Sequence, residues 1–290
     1  MDPDRRRVLE LLGAAGLTGL AGCSGGAPAV DPAPPGGSHD PEDPPRDHPS
    51  KQAHGSHWDA VVGDEGREAA IRRLAARAVE DGDPVEGVPP SLDGAEVTGH
   101  RLAEGPLGVV TVTLDGQVAT AYPVGAGVEQ AMTVTGRREW TSGLEAWLTG
   151  EVGDAAVTAF GTDYYARPGE RFEGEHTVSL AGFLYDLGPA AAATVDAGGR
   201  ELAVDDSFAG FTPWEAGAID DYVVRTTPER VERVGLFDHA LYRIEAPLYR
   251  EPDRGTADAV FYAGTHLGDG YEPTAGEPIR APAWLQVRVG

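Results

Sequence analysis

Two short apolar runs on either side of a tight-turn dipeptide decide the fold class of this chain. Residues 108–114 read Gly-Val-Val-Thr-Val-Thr-Leu and residues 117–122 read Gln-Val-Ala-Thr-Ala-Tyr, with Asp115-Gly116 between them. Valine, threonine and tyrosine favour extended strands, and Asp-Gly is a strong signal for a two-residue hairpin turn. The stretch therefore predicts a β-hairpin, and related patterns recur through the rest of the chain.

The sequence on the carboxyl side of this hairpin contains further candidate strands. A second hairpin is predicted where residues 144–152 and 155–160 flank Gly153-Asp154. About ten short strands separated by turn residues predict a mainly β fold, a barrel or a sandwich, with an OB-like closed barrel as one form of it. The remaining candidate strands are 128–135, 176–185, 220–226, 231–237, 239–245, 258–263 and 283–289.

One segment before the first hairpin has helical periodicity. Ala70, Ile71, Leu74 and Ala78 follow the spacing of one helix face, and Asp81-Gly82-Asp83-Pro84 ends the pattern. We therefore predict an amphipathic helix over residues 65–80. The body is expected to divide into a helix-plus-hairpin unit, residues 58–126, and a main β domain, residues 127–290.

The chain is strongly acidic, with 47 acidic and 23 basic residues and a formal net charge of −24. This balance argues against a nucleic-acid surface, because phosphate binding depends on lysine and arginine contacts. Lys51 is the only lysine, and 21 of the net negative charges lie in residues 58–290. An acidic, lysine-poor surface is typical of halophilic proteins, in which hydrated carboxylates keep the surface soluble while salt screens their repulsion. Asparagine is absent, so N-glycosylation is excluded.

The amino terminus has the order of a secretory signal. Arg5 and Arg6 stand before Val8-Leu9, and a short, weakly apolar stretch, residues 8–20, follows them. That stretch would span roughly 20 Å as a helix, which is less than a bilayer core of about 30 Å. It is therefore typical of a cleaved signal peptide, residues 1–22, rather than of a stable anchor.

These motifs resemble the leader of haloarchaeal lipoproteins exported by the twin-arginine route. Arg5-Arg6-x-Val8-Leu9 is similar to the twin-arginine pattern, and Leu20-Ala21-Gly22-Cys23 is similar to a lipobox. The resemblance implies cleavage before Cys23, a lipid on its thiol and a position on the outer face of the cell membrane. The expected partners are membrane lipid and the export and lipoprotein-processing machinery. Cys23 is the only cysteine, so no disulfide can form within the chain.

Residues 23–57 are predicted to be a lipidated cysteine followed by a disordered tether. Residues 24–57 contain five glycines and eight prolines, and Val30 is their only large apolar side chain. The segment also contains His39, His48, His54 and His57, and imidazole is a common ligand of transition metals. His54-x-x-His57 is a weak metal-binding candidate, and a polar spacer is the alternative interpretation.

Catalytic signatures are missing from the sequence. There is no Gly-x-Ser-x-Gly, no His-Glu-x-x-His and no phosphate-binding glycine loop, and no cofactor is predicted. Two polar-aromatic clusters at predicted strand ends are weak ligand-binding candidates, because loops at strand ends concentrate binding residues. A barrel corner and a plain turn are the alternative interpretations of these clusters. The candidates are Asp163, Tyr164 and Tyr165 in the first cluster and His266, Asp269 and Tyr271 in the second.

The sequence thus favours a membrane-anchored extracellular lipoprotein with a non-catalytic β domain for ligand binding or cell-envelope structure. A secreted hydrolase that uses loop carboxylates is one alternative, because paired carboxylates need no linear signature. A metal-capturing lipoprotein that uses the histidine-rich tether is the other. The ligand is not named by any motif.

Overall fold

A computed structural model describes residues 54–63, 66–89, 91–190, 194–196, 201–203, 209–251 and 255–290. Within these ranges the chain forms one α-helix, α1 (Arg67–Asp81), and three short 3-10 helices, His57–Ala60, Tyr164–Ala166 and Gly268–Gly270. Helix α1 buries Ala70, Ile71, Leu74 and Ala78 on one face, which confirms the predicted helix. None of the described helices is long and apolar enough to cross a membrane.

Strands make up most of the described residues, so the predicted mainly β fold class is confirmed. The strand predicted over 128–135 is too short, because β6 continues to Glu139. The strand Ala95–Glu104 was not predicted at all. In chain order the strands are β1 (Asp83–Pro84), β2 (Ser91–Leu92), β3 (Ala95–Glu104), β4 (Leu107–Leu114), β5 (Gln117–Gly125), β6 (Val128–Glu139), β7 (Ala146–Val152), β8 (Ala155–Gly161), β9 (Gly174–Leu184), β10 (Gly188–Pro189), β11 (Thr194–Asp196), β12 (Glu201–Ala203), β13 (Gly210–Pro213), β14 (Asp221–Thr226), β15 (Arg230–Leu236), β16 (His239–Glu251), β17 (Gly255–Gly264) and β18 (Ile279–Val289).

Both predicted hairpins form as the turn dipeptides require. Leu114 pairs with Gln117 across Asp115-Gly116, and both turn residues have positive φ, 49° and 74°. This is the backbone of a type I′ turn, which matches the twist of the flanking strands. In the second hairpin Val152 pairs with Ala155 across Gly153-Asp154.

Five strands close into a barrel. Going round the ring, β6, β7, β8, β18 and β9 are hydrogen-bonded in turn, and β9 pairs with β6 again. The contacts are antiparallel except between β8 and β18, which run parallel. In chain order the ring is therefore first, second, third, fifth, fourth, which is the arrangement of an OB-like barrel. Strands β17, β16 and β15 extend the sheet beyond β9, and β14 and β13 extend it beyond β18.

Alternating side chains on the barrel strands separate two hydrophobic cores. Leu148 of β7 and Leu285 of β18 point into the first core, inside the barrel. Their chain neighbours Trp147 and Trp284 belong to a second core on the outer face, as the period of two in a strand requires. Helix α1 and the sheet formed by β3, β4 and β5 cover this outer face.

The second core is lined from both sides of the predicted boundary at residues 126/127. Gly127 lies so close to β9 that a Cβ there would overlap the Leu180 backbone, and its amide donates to Ser179 Oγ at 2.9 Å. A Cβ at Gly125 would overlap the Tyr262 ring. The division into two domains stays a prediction. At the predicted boundary the backbone is closely packed against β9 and the Tyr262 ring.

Candidate functional site

His54 lies inside a group of four aromatic side chains on the covered outer face of the barrel. Its ring centroid is 4.9 Å from that of Tyr122, 4.9 Å from Trp140, 4.8 Å from Phe160 and 5.5 Å from Trp284. The Trp140 ring is stacked on the imidazole, whereas Phe160 presents its edge. We call Tyr122, Trp140, Phe160 and Trp284 the aromatic cage.

The aromatic cage is assembled by strands that the barrel closure brings together. Phe160 on β8 and Trp284 on β18 are neighbours because these strands pair in parallel, with Phe160 opposite Gln286. Tyr122 projects from β5, and Trp140 follows the end of β6. All four side chains are buried. Tyr122 additionally donates its hydroxyl to the Thr162 carbonyl at 3.1 Å.

A buried carboxylate stands beside the aromatic cage. Glu145, only 4% exposed, has its Oε1 atom 2.6 Å from Nε2 of His54 and accepts the Thr120 hydroxyl at 2.7 Å. Its Oε2 accepts the Ser142 hydroxyl at 3.3 Å, and its carbonyl accepts the Trp140 amide at 2.8 Å. Hydroxyl groups thus donate to both carboxylate oxygens, as is usual for a buried polar side chain. His54 Nε2 is therefore assigned as a proton donor to Glu145.

A second buried imidazole extends this arrangement. His57 is 3% exposed, and its Nδ1 lies 2.9 Å from Nδ1 of His54, so one ring donates to the other. The His57 ring also stacks on Trp284, with centroids 3.9 Å apart and an interplanar angle of 11°. Burial lowers the pKa of His57 well below its ordinary value, and the neighbouring His54 lowers it further. His57 is consequently neutral near pH 7.

Beyond Trp284 lies a pair of buried carboxyl groups with structural partners. Trp284 Nε1 donates to Asp220 at 2.7 Å, and the Tyr185 hydroxyl donates to Asp221 at 2.7 Å. The Ala218 amide also donates to Asp221, at 2.6 Å. Burial, followed by the adjacent Asp221, raises the pKa of Asp220 well above its ordinary value. These carboxyl groups fix the end of β14 against β18.

The structure corrects the predicted position of His54 and His57. The tether was predicted to extend to residue 57, but both imidazoles lie in the body, and the 3-10 helix His57–Ala60 begins within that range. The prediction failed because a histidine was treated as a polar spacer residue, whereas Glu145 and the aromatic rings supply partners for a buried one. Within the part of the chain that the structure describes, no group of three or more His, Cys, Asp and Glu side chains is placed to hold a metal ion. His39 and His48 lie outside the described residues.

The first predicted ligand cluster is a corner of the barrel. Asp163 accepts the Arg167 guanidinium and receives the Val289 amide at 3.5 Å, which ties the corner to β18. Tyr164 is buried, donates to Glu139 and accepts the Gly169 amide at 2.8 Å. Tyr165 is buried too, and burial raises the pKa of its hydroxyl to about 12, so it stays protonated. Asp163 and Tyr164 thus have hydrogen-bond partners and Tyr165 is buried in the second core, as the corner interpretation describes.

The second predicted cluster does not converge on one point. His266 Nε2 lies 3.0 Å from the Asp59 carbonyl oxygen, and the imidazole packs against Gly264. The hydrogen-bond partner of His266 is therefore Asp59 rather than Asp269. Asp269 is exposed with a positive φ of 49°. The Tyr271 hydroxyl is buried without a hydrogen-bond partner among the described residues, and burial raises its pKa. An acid–base pair of His266 and Asp269 is therefore not formed here.

A pocket of about 350 Å³ is lined by none of the residues of these clusters. Thr227, Pro228, Glu229, Arg250 and Gly276 line it. Glu229 is the one carboxylate in that lining, and it pairs with Arg250 at 2.6 Å. This pocket therefore does not supply the two separated carboxylates that a glycosidase-type hydrolase requires.

The sequence pattern missed Glu145, Thr120 and Tyr122 as site residues. Each lies on or beside a predicted strand, where a polar or aromatic residue has no distinctive spacing. The run Trp58-Asp-Ala-Val-Val62 next to His57 was the one available signal, because four apolar side chains after a polar segment indicate where the body starts. The predicted lipidation and export residues Cys23, Arg5 and Arg6 lie outside the described residues.

Comparisons of this chain with protein-family models, with curated proteins and with solved structures found no match.

Proposed function

We propose that this chain is a lipoprotein of the outer face of the cell membrane, whose β body binds a ligand and performs no chemistry. The observation that supports the binding role is the aromatic cage beside the buried carboxylate of Glu145. Aromatic rings grouped around one carboxylate are a common means of recognising a ligand in proteins. Cell-envelope structure without a ligand is the competing role for the same fold.

The anchor rests on the sequence of the leader. The Leu20-Ala21-Gly22-Cys23 motif contains the thiol that would carry the lipid. Arg5-Arg6 belongs to the stretch that resembles a twin-arginine export signal. One lipid chain contributes about 0.8 kcal/mol for each buried CH₂, so a second chain or a further signal is needed for stable attachment. The acidic, lysine-poor body would face a salty exterior, where its surface charge keeps it soluble.

Cell fractionation of two variants tests this proposal. Cys23→Ser is expected to be released into the medium or to stay uncleaved, with Ser24→Ala as the matched control that remains anchored. Replacement of both Arg5 and Arg6 by lysine is expected to leave the precursor inside the cell, whereas Arg7→Lys is expected to be exported. A Cys23→Ser protein that is still processed and fully membrane-bound would show that the anchor is something else.

The two alternative functions have weaker support. A hydrolase would need two carboxylates at an accessible site, and Asp220 and Asp221 are instead buried and hydrogen-bonded to Trp284 and Tyr185. Metal capture by the tether loses its paired histidines, because His54 and His57 face each other inside the body. Both remain untested predictions that no described site favours.

A further inference from the structure

We infer that the aromatic cage and Glu145 form a binding site for a monovalent organic cation, which the chain's own His54 fills in this conformation. The inference deepens the proposed ligand-binding role by naming the class of ligand. It concerns a site that none of the sequence motifs marked, since its parts come from β5, β8, β18 and the β6–β7 connection.

The chemistry of the site matches a cation. Four aromatic rings lie within 5.5 Å of the imidazole centroid, and the Trp140 ring stacks on it with its face, the part of an aromatic quadrupole that attracts positive charge. The Glu145 carboxylate adds a formal negative charge, and its Oε1 atom lies 2.6 Å from Nε2 of His54. A buried carboxylate is costly unless it is paired, so whatever occupies the cage must donate a hydrogen bond or carry positive charge. His54 meets this requirement from within the chain.

The cage residues are held by contacts that do not involve His54. Phe160 packs edge-on against Tyr122 at 4.8 Å and lies 5.3 Å from Trp284, while its contact with Trp140 is 5.6 Å. Glu145 keeps the Thr120 and Ser142 hydroxyls. Removal of the His54 imidazole therefore leaves the rings and the carboxylate in place, as a preorganised site requires.

The filling segment, in contrast, pairs with none of the described strands. The backbone hydrogen bonds of its 3-10 turn are local, from His57 N to His54 O and from Val62 N to Trp58 O. Side chains attach it to the rest of the body, through the bond from His54 to Glu145 and from Trp58 Nε1 to the Ala121 carbonyl at 3.1 Å. The His54 side chain can therefore leave the cage without breaking a pairing between the described strands.

One polar atom of the cage is not satisfied by His54. Trp140 Nε1 is buried and has no hydrogen-bond partner among the described residues. A buried donor without a partner costs about 1–3 kcal/mol, and such groups are normally hydrogen-bonded in native proteins. This indole N–H needs an acceptor and a cation offers only donors, so it does not distinguish His54 from a free cation as the occupant of the cage.

Because His54 fills the cage, a free cation must compete with it for the site. A group tethered within the same chain acts at an effective concentration in the millimolar range, so a free cation binds the wild type weakly. His54→Ala removes the competitor and leaves a space of imidazole size. The full-length variant is therefore expected to bind imidazolium at least about tenfold more tightly than the wild type does, which corresponds to about 1.4 kcal/mol.

The experiment is a titration of tryptophan fluorescence with two probes of equal shape. Imidazole is used below its pKa, as imidazolium, and neutral pyrazole is the control, both at constant salt. His54→Ala is expected to prefer imidazolium by about tenfold, and His54→Ala with Glu145→Gln is expected to lose that preference. Equal affinity for both probes, or no binding by a folded His54→Ala variant, would overturn the cation site.

The wild type provides a second measurement if His54→Ala does not fold. Imidazolium is then expected to shift the tryptophan emission of the wild type at high millimolar concentration, with the same preference over pyrazole. No shift, or equal shifts with both probes, overturns the inference. Equal binding of both probes would retain a ligand site and reject only the cation, whereas the anchor is tested separately by fractionation of Cys23→Ser.

Discussion

Replacement of His57 by glutamine is expected to remove part of the pH dependence of folding. The His57 ring is buried between Trp284, at 3.9 Å, and His54, whose Nδ1 lies 2.9 Å away, and Tyr185 stacks more distantly at 6.1 Å. Burial and the neighbouring His54 lower the pKa of His57. Folding therefore requires His57 to stay neutral, while the unfolded chain binds a proton to it below about pH 6.5.

The sign and size of the effect follow from this difference in proton binding. The stabilising contribution of neutral His57 is complete above about pH 6.5 and is lost as the pH falls, because the unfolded state gains the proton. For a ring that remains neutral in the folded state, the loss reaches about 1.4 kcal/mol at pH 5.5. The solvent hardly screens it, since His57 is only 3% exposed. Asp220, whose pKa is raised by burial, has the opposite effect, because its contribution to stability grows as the pH falls, but it is present in both proteins.

The assay is urea unfolding of the wild type and His57→Gln at pH 7.5 and 5.5 in the same salt. Glutamine retains a hydrogen-bonding group toward His54 but does not titrate. Between the two pH values, the wild type is expected to lose about 1.4 kcal/mol more of its unfolding free energy than the variant does. An equal loss in both proteins would refute the claim that His57 is buried as a neutral ring.

Two further pairs of substitutions test the barrel. Gly127→Ala is expected to lower the unfolding free energy by about 3 kcal/mol, because its Cβ would overlap the Leu180 backbone, whereas Gly136→Ala, with open space around it, should cost less than about 1 kcal/mol. Similar costs in the two denaturation curves would argue against the close junction. Tyr164→Phe is expected to cost about 1–2 kcal/mol through its bonds to Glu139 and Gly169, while Tyr271→Phe, whose hydroxyl has no partner among the described residues, should be near neutral. Thermal unfolding compares this pair, and an equal loss in both would contradict the assigned contacts.

Local signals in the sequence predicted most of the long strands, though not Ala95–Glu104, and they did not predict how the strands close into a barrel. Asp115-Gly116 and Gly153-Asp154 specify hairpins because each requires a backbone that few other dipeptides adopt. The parallel contact between β8 and β18 joins Phe160 to Gln286, which are far apart in the chain. No local pattern encodes such a pairing, so the OB-like ring was one expected form among several rather than a derived topology.

The site was less predictable than the fold for the same reason. Glu145 and His54 are far apart in the chain, yet their side chains meet at 2.6 Å. The local composition predicted that His54 belongs to a proline-rich tether. Composition is an average over many residues, so it does not show that one histidine has a buried partner elsewhere in the chain. Tyr164 and Tyr165, in contrast, were singled out as polar aromatics at a strand end, and the structure explains that chemistry by hydrogen bonding and burial at a corner.

NMR of the histidine rings tests most directly whether His54 occupies the aromatic cage. The account predicts that the His54 ring protons are shifted upfield by the surrounding rings, and that the proton on Nε2, bonded to Glu145 at 2.6 Å, exchanges slowly with water. Glu145→Gln should speed that exchange, and Trp140→Leu, which removes the ring stacked on the imidazole, should reduce the upfield shift. Ring-proton shifts of a solvent-exposed histidine, with fast exchange at Nε2 in the wild type, would contradict the account.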